Sequence, residues 1–335
     1  MSGVAGGRRV TSTDVAREAG VSRSTVSIVL NDAPHHSIPE STRRRVQEAA
    51  SRLGYAPSAA ARTLRSGRSD IVLGLLPDWP IGPTNTQMLR ELSAAFARHR
   101  LTFVVHTHVP DARPLSEVWK AITPAAVLAL DEFAADDAEA MRAAGIEATV
   151  MLQGPTRNWQ RVTVIPAHPV GSMQARHLAG KHRQLGYAYP DDERLSSFAE
   201  PRLQGVRQTC AELGLPAPDV RPVPLDAEGA AEVIRAWRSA DVPVTGICAY
   251  NDEVALALLA GLRHLGLESP RDLAVVGVDD IPSAALAAPP LTTVRRDVVA
   301  LADRIARGVV GALAGRPLPG TIEPDVLRLV TRESS

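Results

Sequence analysis

The sequence predicts a small all-α head followed by a larger α/β body of doubly wound parallel sheets. Three observations carry this. Three short helical patterns joined by tight turns fill residues 10–57. Beyond residue 70, apolar runs alternate with helical patterns, as strands buried on both faces alternate with their crossover helices. Residues 69–335 are too many for one such sheet and comfortable for two.

Taken in order, residues 1–9 form a Gly-rich basic arm. The first helix opens at Ser12 or Thr13, either of which can cap an N-terminus. It carries Val15, Ala16 and Ala19 on one face and stops at Gly20. Ser22 caps the second helix, which runs to about Leu30 with Val26, Val29 and Leu30 inward. Asn31 to Pro34 form a loop. The third helix runs from about Pro39 to Leu53, with Val46, Ala49, Ala50 and Leu53 inward, and Gly54 and Pro57 prevent its continuation. A short Ala-rich helix, SAAARTLR, spans residues 58–65, and Ser66–Asp70 is the linker to the body. Strands are expected at Ile71–Leu76, Leu101–Thr107, Ala125–Leu130, Ala148–Leu152, Val244–Ala249 and Leu273–Val278. Helices are expected at about 85–99, 134–144, 171–180, 201–213, 227–239, 251–265 and 297–314.

Composition narrows the class. Hydrophobic residues make up 45% of 335, and charged residues 22%. Phe, Tyr and Trp number only four each, so Ala, Val, Leu and Ile must fill the core. The formal net charge of zero hides an asymmetry: residues 1–68 carry +6 and residues 69–335 carry −6. A basic head on an acidic body points to a polyanionic partner for the head alone. Two cysteines, Cys210 and Cys248, cannot make a disulfide framework and read as buried thiols. No apolar run approaches the roughly 18 residues of a membrane span, and residues 1–9 lack a signal-like apolar region. The expectation is a cytoplasmic protein with no membrane partner.

Two helices joined by Ala19-Gly20-Val21-Ser22 meet the needs of a helix-turn-helix: a small residue where backbones approach, then an immediate cap. The second helix would present Arg23, Ser24, Ser27 and Ile28 to a major groove. Arg23 can bond guanine bidentately. Thr11, Ser22, Thr25, Asn31 and the Arg43–Arg45 cluster suit phosphate contact. The competing reading is a three-helix bundle with a solvated basic face.

The stretch VTSTDVAREAGVSRSTVSIVLND, then IPESTRRRVQEAASRLGYAPSAAARTLRSGRS, resembles the head of the LacI/GalR family of bacterial transcription regulators, over nearly all of residues 10–69. The resemblance implies a helix-turn-helix head over 1–57, a hinge helix and linker over 58–69, and a body over 70–335. It also implies that the hinge helix inserts Leu64 into the minor groove at the centre of a palindrome, where an apolar wedge kinks a base step. Two departures stand out. Ile28 replaces a polar base-reader and offers apolar contact only, and the loop NDAPHHSIPE is about two residues longer than in familiar members, with His35 or His36 available to phosphate.

The same resemblance implies a body like periplasmic sugar-binding proteins: two doubly wound lobes joined by three crossovers, with a ligand between. The lobes would be about 70–166 with 296–324, and about 167–295 with 325–335. FAEPRLQGVRQTCAELG resembles the segment whose arginine contacts the effector, which maps to Arg202. GICAYNDEVALALLAGLRHLGLESPRDLAVVGVDD places the effector-binding Asn and Asp on Asn251 and Asp279. PPLTTVRRD is likewise similar and should return the chain to the first lobe. Arg, Asn and Asp together offer donors, an amide and a carboxylate, a set that grips vicinal hydroxyls or a purine edge. The rival roles are helix caps and turns for Asn251 and Asp279, and turns for Asp252 and Asp280. In the proline-rich loop Pro77–Pro83, Trp79 could stack on a sugar ring or close the cleft, and Asp78 could bind hydroxyls. Residues 181–199 follow the family only loosely.

Nucleotide-binding glycine motifs and a nucleophile elbow are missing from the sequence. His106 and His108 share a strand face without an indicated third metal ligand, and the runs Asp191–Glu193 and Asp131-Glu132 read as solvated loops. Neither a cofactor nor an enzyme activity is expected. The resulting expectation is a repressor that binds a palindromic operator as a homodimer. A small sugar-like effector between the lobes would control it. The alternative keeps DNA binding and makes the body a ligand-independent dimerisation module.

Overall fold

The computed structural model describes residues 10–30, 38–55, 69–107, 114–130, 135–146, 148–151, 167–316 and 324–335. Asn31, His35, His36, Leu64, His108, residues 131–132 and the expected helix at 58–65 lie outside the described residues. The chain divides into two compact units, residues 1–69 and 70–335.

The first unit holds α1 (Ser12–Ala19), α2 (Arg23–Leu30) and α3 (Glu40–Leu53). The cap of α1 is Thr11, one residue earlier than expected, because Asp14 reaches back to accept from both the Thr11 N–H and its hydroxyl. Gly20 ends α1 at φ 63, the left-handed conformation that glycine adopts without a Cβ penalty. Ser22 then accepts from the Thr25 N–H at 3.1 Å and starts α2. Val15, Ala16, Ala19, Val26, Val29, Val46, Ala49 and Ala50 form one small core, ringed by Val21, Leu30, Ile38, Leu53 and Tyr55. Every residue expected inward lies in that set.

The second unit contains two sheets. The first is wholly parallel, in the order β2-β1-β3-β4: β1 (Ile71–Leu76), β2 (Thr102–Thr107), β3 (Ala126–Ala129) and β4 (Ala148–Met151). Its helices are α4 (Pro83–Arg98), α5 (Leu115–Ile122) and α6 (Ala135–Ala143). α5 is not marked by the sequence pattern; it is an eight-residue helix that buries Leu115 and Trp119 one turn apart.

The second sheet has the order β10-β9-β8-β7-β5-β6. Its members are β5 (Leu185–Pro190), β6 (Asp219–Val223), β7 (Gly246–Ala249), β8 (Ala274–Val278), β9 (Thr292–Arg296) and β10 (Leu327–Val330). Only β10 runs antiparallel to its neighbour. β5, β6 and β9 are strands that the apolar pattern does not mark. β6 carries Pro222, which an edge strand tolerates. β5 ends on Pro190, and β9 ends in Arg295-Arg296, so neither reads as a simple apolar run.

Helices α7 (Ala167–Ala179) and α8 (Ser196–Glu212) cover one face of this sheet through Ala175, Leu178, Leu203, Val206 and Cys210. Helices α9 (Ala227–Arg238) and α10 (Asp252–His264) cover the other. Successive residues of β7 alternate between these cores: Cys248 faces one, Ile247 and Ala249 the other. α7 and α8 touch backbone to backbone: a Cβ on Gly171 would sit 1.9 Å from the Arg202 oxygen, and one on Gly205 2.0 Å from the His168 oxygen. After β8 and the short α11 (Pro282–Leu286), α12 (Val298–Leu313) packs on α4 of the first sheet. One apolar cluster runs through both sheets' surroundings and includes Trp79 and Phe198.

Candidate functional site

Both sheets share a strand order in which the first strand lies between the second and third. The carboxyl ends of β1/β3 and β5/β7 are therefore the switch points where open α/β sheets bind ligands. A cavity of about 300 Å³ lies there, at the small end for ligand sites. Its wall draws on the segments that follow β1, β5, β6, β7 and β8, and on the end of β9.

Arg202, Asn251 and Asp279 all line this cavity, as does Arg296, which the sequence reading missed. Arg202 is 3% exposed; it donates to the Tyr250 carbonyl and lies over the Tyr250 ring, 4.7 Å from its centroid. Gly171 makes this placement possible, since α7 rests on the Arg202 backbone. Arg296 Nη2 stands 2.6 Å from Asp279 Oδ1, with the two side chains 5% and 11% exposed. The pair is close enough for ion pairing but is not aligned as a hydrogen bond. Arg202 Nε, Arg296 Nε and Asp279 Oδ1 are buried without a hydrogen-bond partner. The two guanidinium Nε atoms are an unmet demand for acceptors, because a buried polar atom left unpaired is costly, while Asp279 Oδ1 is met by the ion pair alone.

Asn251 serves as the N-cap of α10: its oxygen accepts from the Val254 N–H at 2.9 Å and its amide donates to Glu253 at 3.2 Å. Both polar ends of its side chain are thus engaged within the protein. Asp279 sits at φ 110 and Asp280 at φ 52, consecutive left-handed residues that Asp tolerates better than most. Asp280 accepts from Arg332 at 2.6 Å and from Arg295 at 2.6 Å. Burial pushes its carboxyl up, but those hydrogen bonds together hold it below the usual carboxylate range. Asp252 is 1% exposed and accepts from Thr293 Oγ1 at 2.6 Å and from the Ile281 N–H at 2.9 Å. Burial raises its carboxyl to about 7, against the pull of those two bonds and with repulsion from Asp279 and Asp280 adding to the rise.

Two expected contacts stand beside the cavity instead of lining it. Trp79 is buried edge-on against Phe198, ring centroids 4.3 Å apart. The Asp78 carboxylate and carbonyl accept from Arg194 Nη1 at 3.4 and 3.3 Å, and the same guanidinium forks onto Asp192. Phe198 and Asp192 themselves line the cavity. The loop after β1 therefore clasps the second lobe at the cavity mouth. Its Pro80, Gly82 and Pro83 supply wall.

In the head, Arg23 and Ser24 are exposed at the start of α2, and Ile28 is half-buried. The Ser22 hydroxyl lies 2.6 Å from that of Ser24 and 2.9 Å from that of Thr25. The Thr11 hydroxyl is held by Asp14, and Ser27 is half-buried. Among the described residues no three His, Cys, Asp or Glu side chains converge to hold a metal ion, and no helix is long and apolar enough to cross a membrane.

Residues 11–58 match the family of bacterial regulatory proteins of the lacI type, and residues 175–335 match a periplasmic binding protein-like domain. An HTH-type transcriptional regulator from the aml 5' region of Streptomyces limosus is 31% identical over 315 residues, covering 90% of this chain and 86% of that protein. The chain belongs to the LacI/GalR family. The family member MalR, an HTH-type transcriptional regulator of Streptomyces coelicolor, is 28% identical over 96% of this chain and 95% of its own length. Among solved structures, the Lac repressor dimer bound to operator and the anti-inducer ONPF superposes with a TM-score of 0.78 at 21% identity, covering 98% of this chain and 99% of that one. The complex of the regulator CelR with cellobiose superposes with a TM-score of 0.68 at 25% identity, over 98% and 100%. A LacI/GalR head and body thus occur in one chain, with the cavity in the body.

Proposed function

We propose that the protein is a transcriptional repressor that binds a palindromic operator as a homodimer and is controlled by a small polyhydroxylated effector in the cavity between the lobes. The observation that carries the effector half is the trio of buried atoms on Arg202, Asp279 and Arg296 without hydrogen-bond partners. Vicinal hydroxyls donate and accept at once, so a polyol meets guanidinium and carboxylate together. Arg202 and Asp279 are the proposed effector contacts, with Arg296 orienting Asp279. Asn251 acts through the α10 cap, and Asp78 and Trp79 act by closing the mouth.

In the head, Arg23, Ser24, Ser27 and Ile28 read bases, while Thr11, Ser22, Thr25 and Asn31 hold phosphates. Leu64 is the minor-groove wedge. Closure of the lobes on effector changes the separation of the two heads, so effector and operator affinities are reciprocally linked. The protein acts in the cytoplasm and carries out no chemical turnover.

Selection of bound sites from random duplex DNA by the full-length protein tests this. The expected product is a palindrome with half-sites about one helical turn apart and a flexible central step. Leu64→Ala should weaken binding to that palindrome and leave the melting behaviour of the body unchanged. Enrichment of no site, with and without a metabolite extract, would overturn the operator reading. Binding of a palindrome unaffected by any of a broad panel of sugars and nucleosides would favour a body that only dimerises.

A further inference from the structure

The cavity lining includes a buried carboxyl, Asp252, that is 1% exposed and makes no ion pair among the described residues. We propose that Asp252 is the positioning residue of this cavity: through Ile281 and Thr293 it holds the turn that presents Asp279. This rests on the reading of the cavity as a ligand site and deepens it.

The geometry is specific. Asp252 Oδ2 accepts from the Ile281 N–H, the residue that follows the two left-handed aspartates. Its Oδ1 accepts from Thr293 Oγ1, and that hydroxyl oxygen in turn receives the Asp280 N–H at 3.3 Å. The Asp279 N–H is tied to the Val294 carbonyl at 2.9 Å. One side chain therefore links α10, β9 and the 279–281 turn. A Cβ on Gly277 would lie 2.1 Å from Asp252 Oδ1, so the absence of a side chain on β8 leaves space for the carboxyl. These bonds join the ion pairs of Asp279 and Asp280 in holding two consecutive positive-φ residues, since such conformations persist only where the surroundings impose them.

The hold is also a proton-linked one. The groups that act on Asp252 are the Ile281 N–H, Asp279 and Asp280 on the turn and Thr293 on β9; the charged groups nearest these in sequence or across the cavity are Arg295 and Arg296 on β9 and Glu253 beside it on α10. Arg295 and Arg332 are committed to Asp280, and Arg296 to Asp279. Among the described residues no cation is paired with Asp252, and burial is the largest influence on its titration. Opening of the turn would hydrate the carboxyl and let it ionise at an ordinary carboxylate pH. Protonation therefore favours the closed turn, and rising pH favours its opening. Asp279, carried on that turn, loses its fixed position as the turn opens.

Amide hydrogen exchange on the full-length protein, resolved at Ile281 and Asp280, tests this. Once intrinsic exchange is divided out, wild-type protection at Ile281 should fall about thirtyfold from about pH 5.5 to about pH 8.5. Asp252→Asn keeps one acceptor for Ile281 and a donor for Thr293. It should restore protection and abolish the pH dependence, which a side chain of merely structural importance would not do. Asp252→Ala should lose protection at Ile281 and Asp280 at every pH while β5 and β7 amides keep theirs. An Asp252→Asn protein with the wild-type pH slope would overturn the proposal even if Asp252→Ala fails to fold. Unchanged Ile281 protection in Asp252→Ala would overturn it as well. The effector reading fails on a different result: no rise in melting temperature with cellobiose or ribose as probes, or with any member of the sugar and nucleoside panel.

Discussion

Arg296 and Asp279 face each other 2.6 Å apart beside the cavity, and only one of them could be picked out from sequence. Asp279 follows an apolar strand, where open sheets place ligand-binding side chains. Arg296 closes an Arg-Arg pair, a pattern that ordinarily marks a solvated surface; only the fold turns one arginine outward and buries the other against a carboxylate. Arg202 was legible because its surroundings carry a recognisable segment. The capping of α10 by Asn251 was legible only as one of two options, since a strand-to-helix junction suits both a cap and a ligand contact. Asp279→Ala is expected to abolish any ligand-dependent release of the selected operator while operator affinity without ligand stays within about twofold; titrations of labelled duplex against the panel check this. Gly205→Ala drives a methyl into the His168 carbonyl, and α7 and α8 must separate. Overpacking of this kind costs about 1–3 kcal/mol or more. A lowered urea midpoint for the body is the expected outcome.

Elements followed from pattern where they were apolar and regular, and escaped notice where proline or charge interrupted them. The four strands of the first sheet and the three head helices were anticipated within a residue or two. β5, β6 and β9 were missed because Pro190, Pro222 and the arginine pair break their apolar texture, yet hydrogen bonding to neighbouring strands overrides that local weakness. The segment after β10 shows how much one short stretch can contribute. Ser334 is fully buried: its hydroxyl donates to the Val275 carbonyl and accepts from the Thr292 N–H, and its own carbonyl accepts from Val275 and Ser269. It ties the start of β8 to the start of β9. Ser334→Ala orphans the Thr292 N–H, a loss of about 1–3 kcal/mol, measurable as a drop in the urea midpoint of the body. Ser22→Ala, at the start of α2, should cost the head about 1 kcal/mol through the lost cap, read by far-UV circular dichroism on heating.

Across the whole molecule, charge is partitioned, with +6 in residues 1–68 and −6 in the remainder. Affinity for the selected duplex should therefore fall steeply and log-linearly with salt, while sugar binding by the body should respond little; fluorescence anisotropy at several ionic strengths compares the two. Stability should also carry the signature of Asp252. Its carboxyl titrates at about 7 in the folded chain against an ordinary 3.8, so between those values the folded state holds a proton that the unfolded state gives up. From this group alone, stability is full below the lower value and declines as pH rises through the upper one. Asp280 runs the opposite way, its hold lost as acid titrates it. The difference between wild type and Asp252→Asn isolates the first slope: the variant should gain stability relative to wild type as pH rises from about 5 to about 8.

The edge-on contact between Trp79 and Phe198 has a practical side. An indole wedged at the seam between two lobes reports on its own surroundings by light emission. When the lobes part, that ring passes from a dry aromatic neighbour into water, and its emission should shift to the red. Comparing the full chain with a Trp79→Phe version subtracts the other three tryptophans. Lobe movement can then be followed in real time without any attached dye.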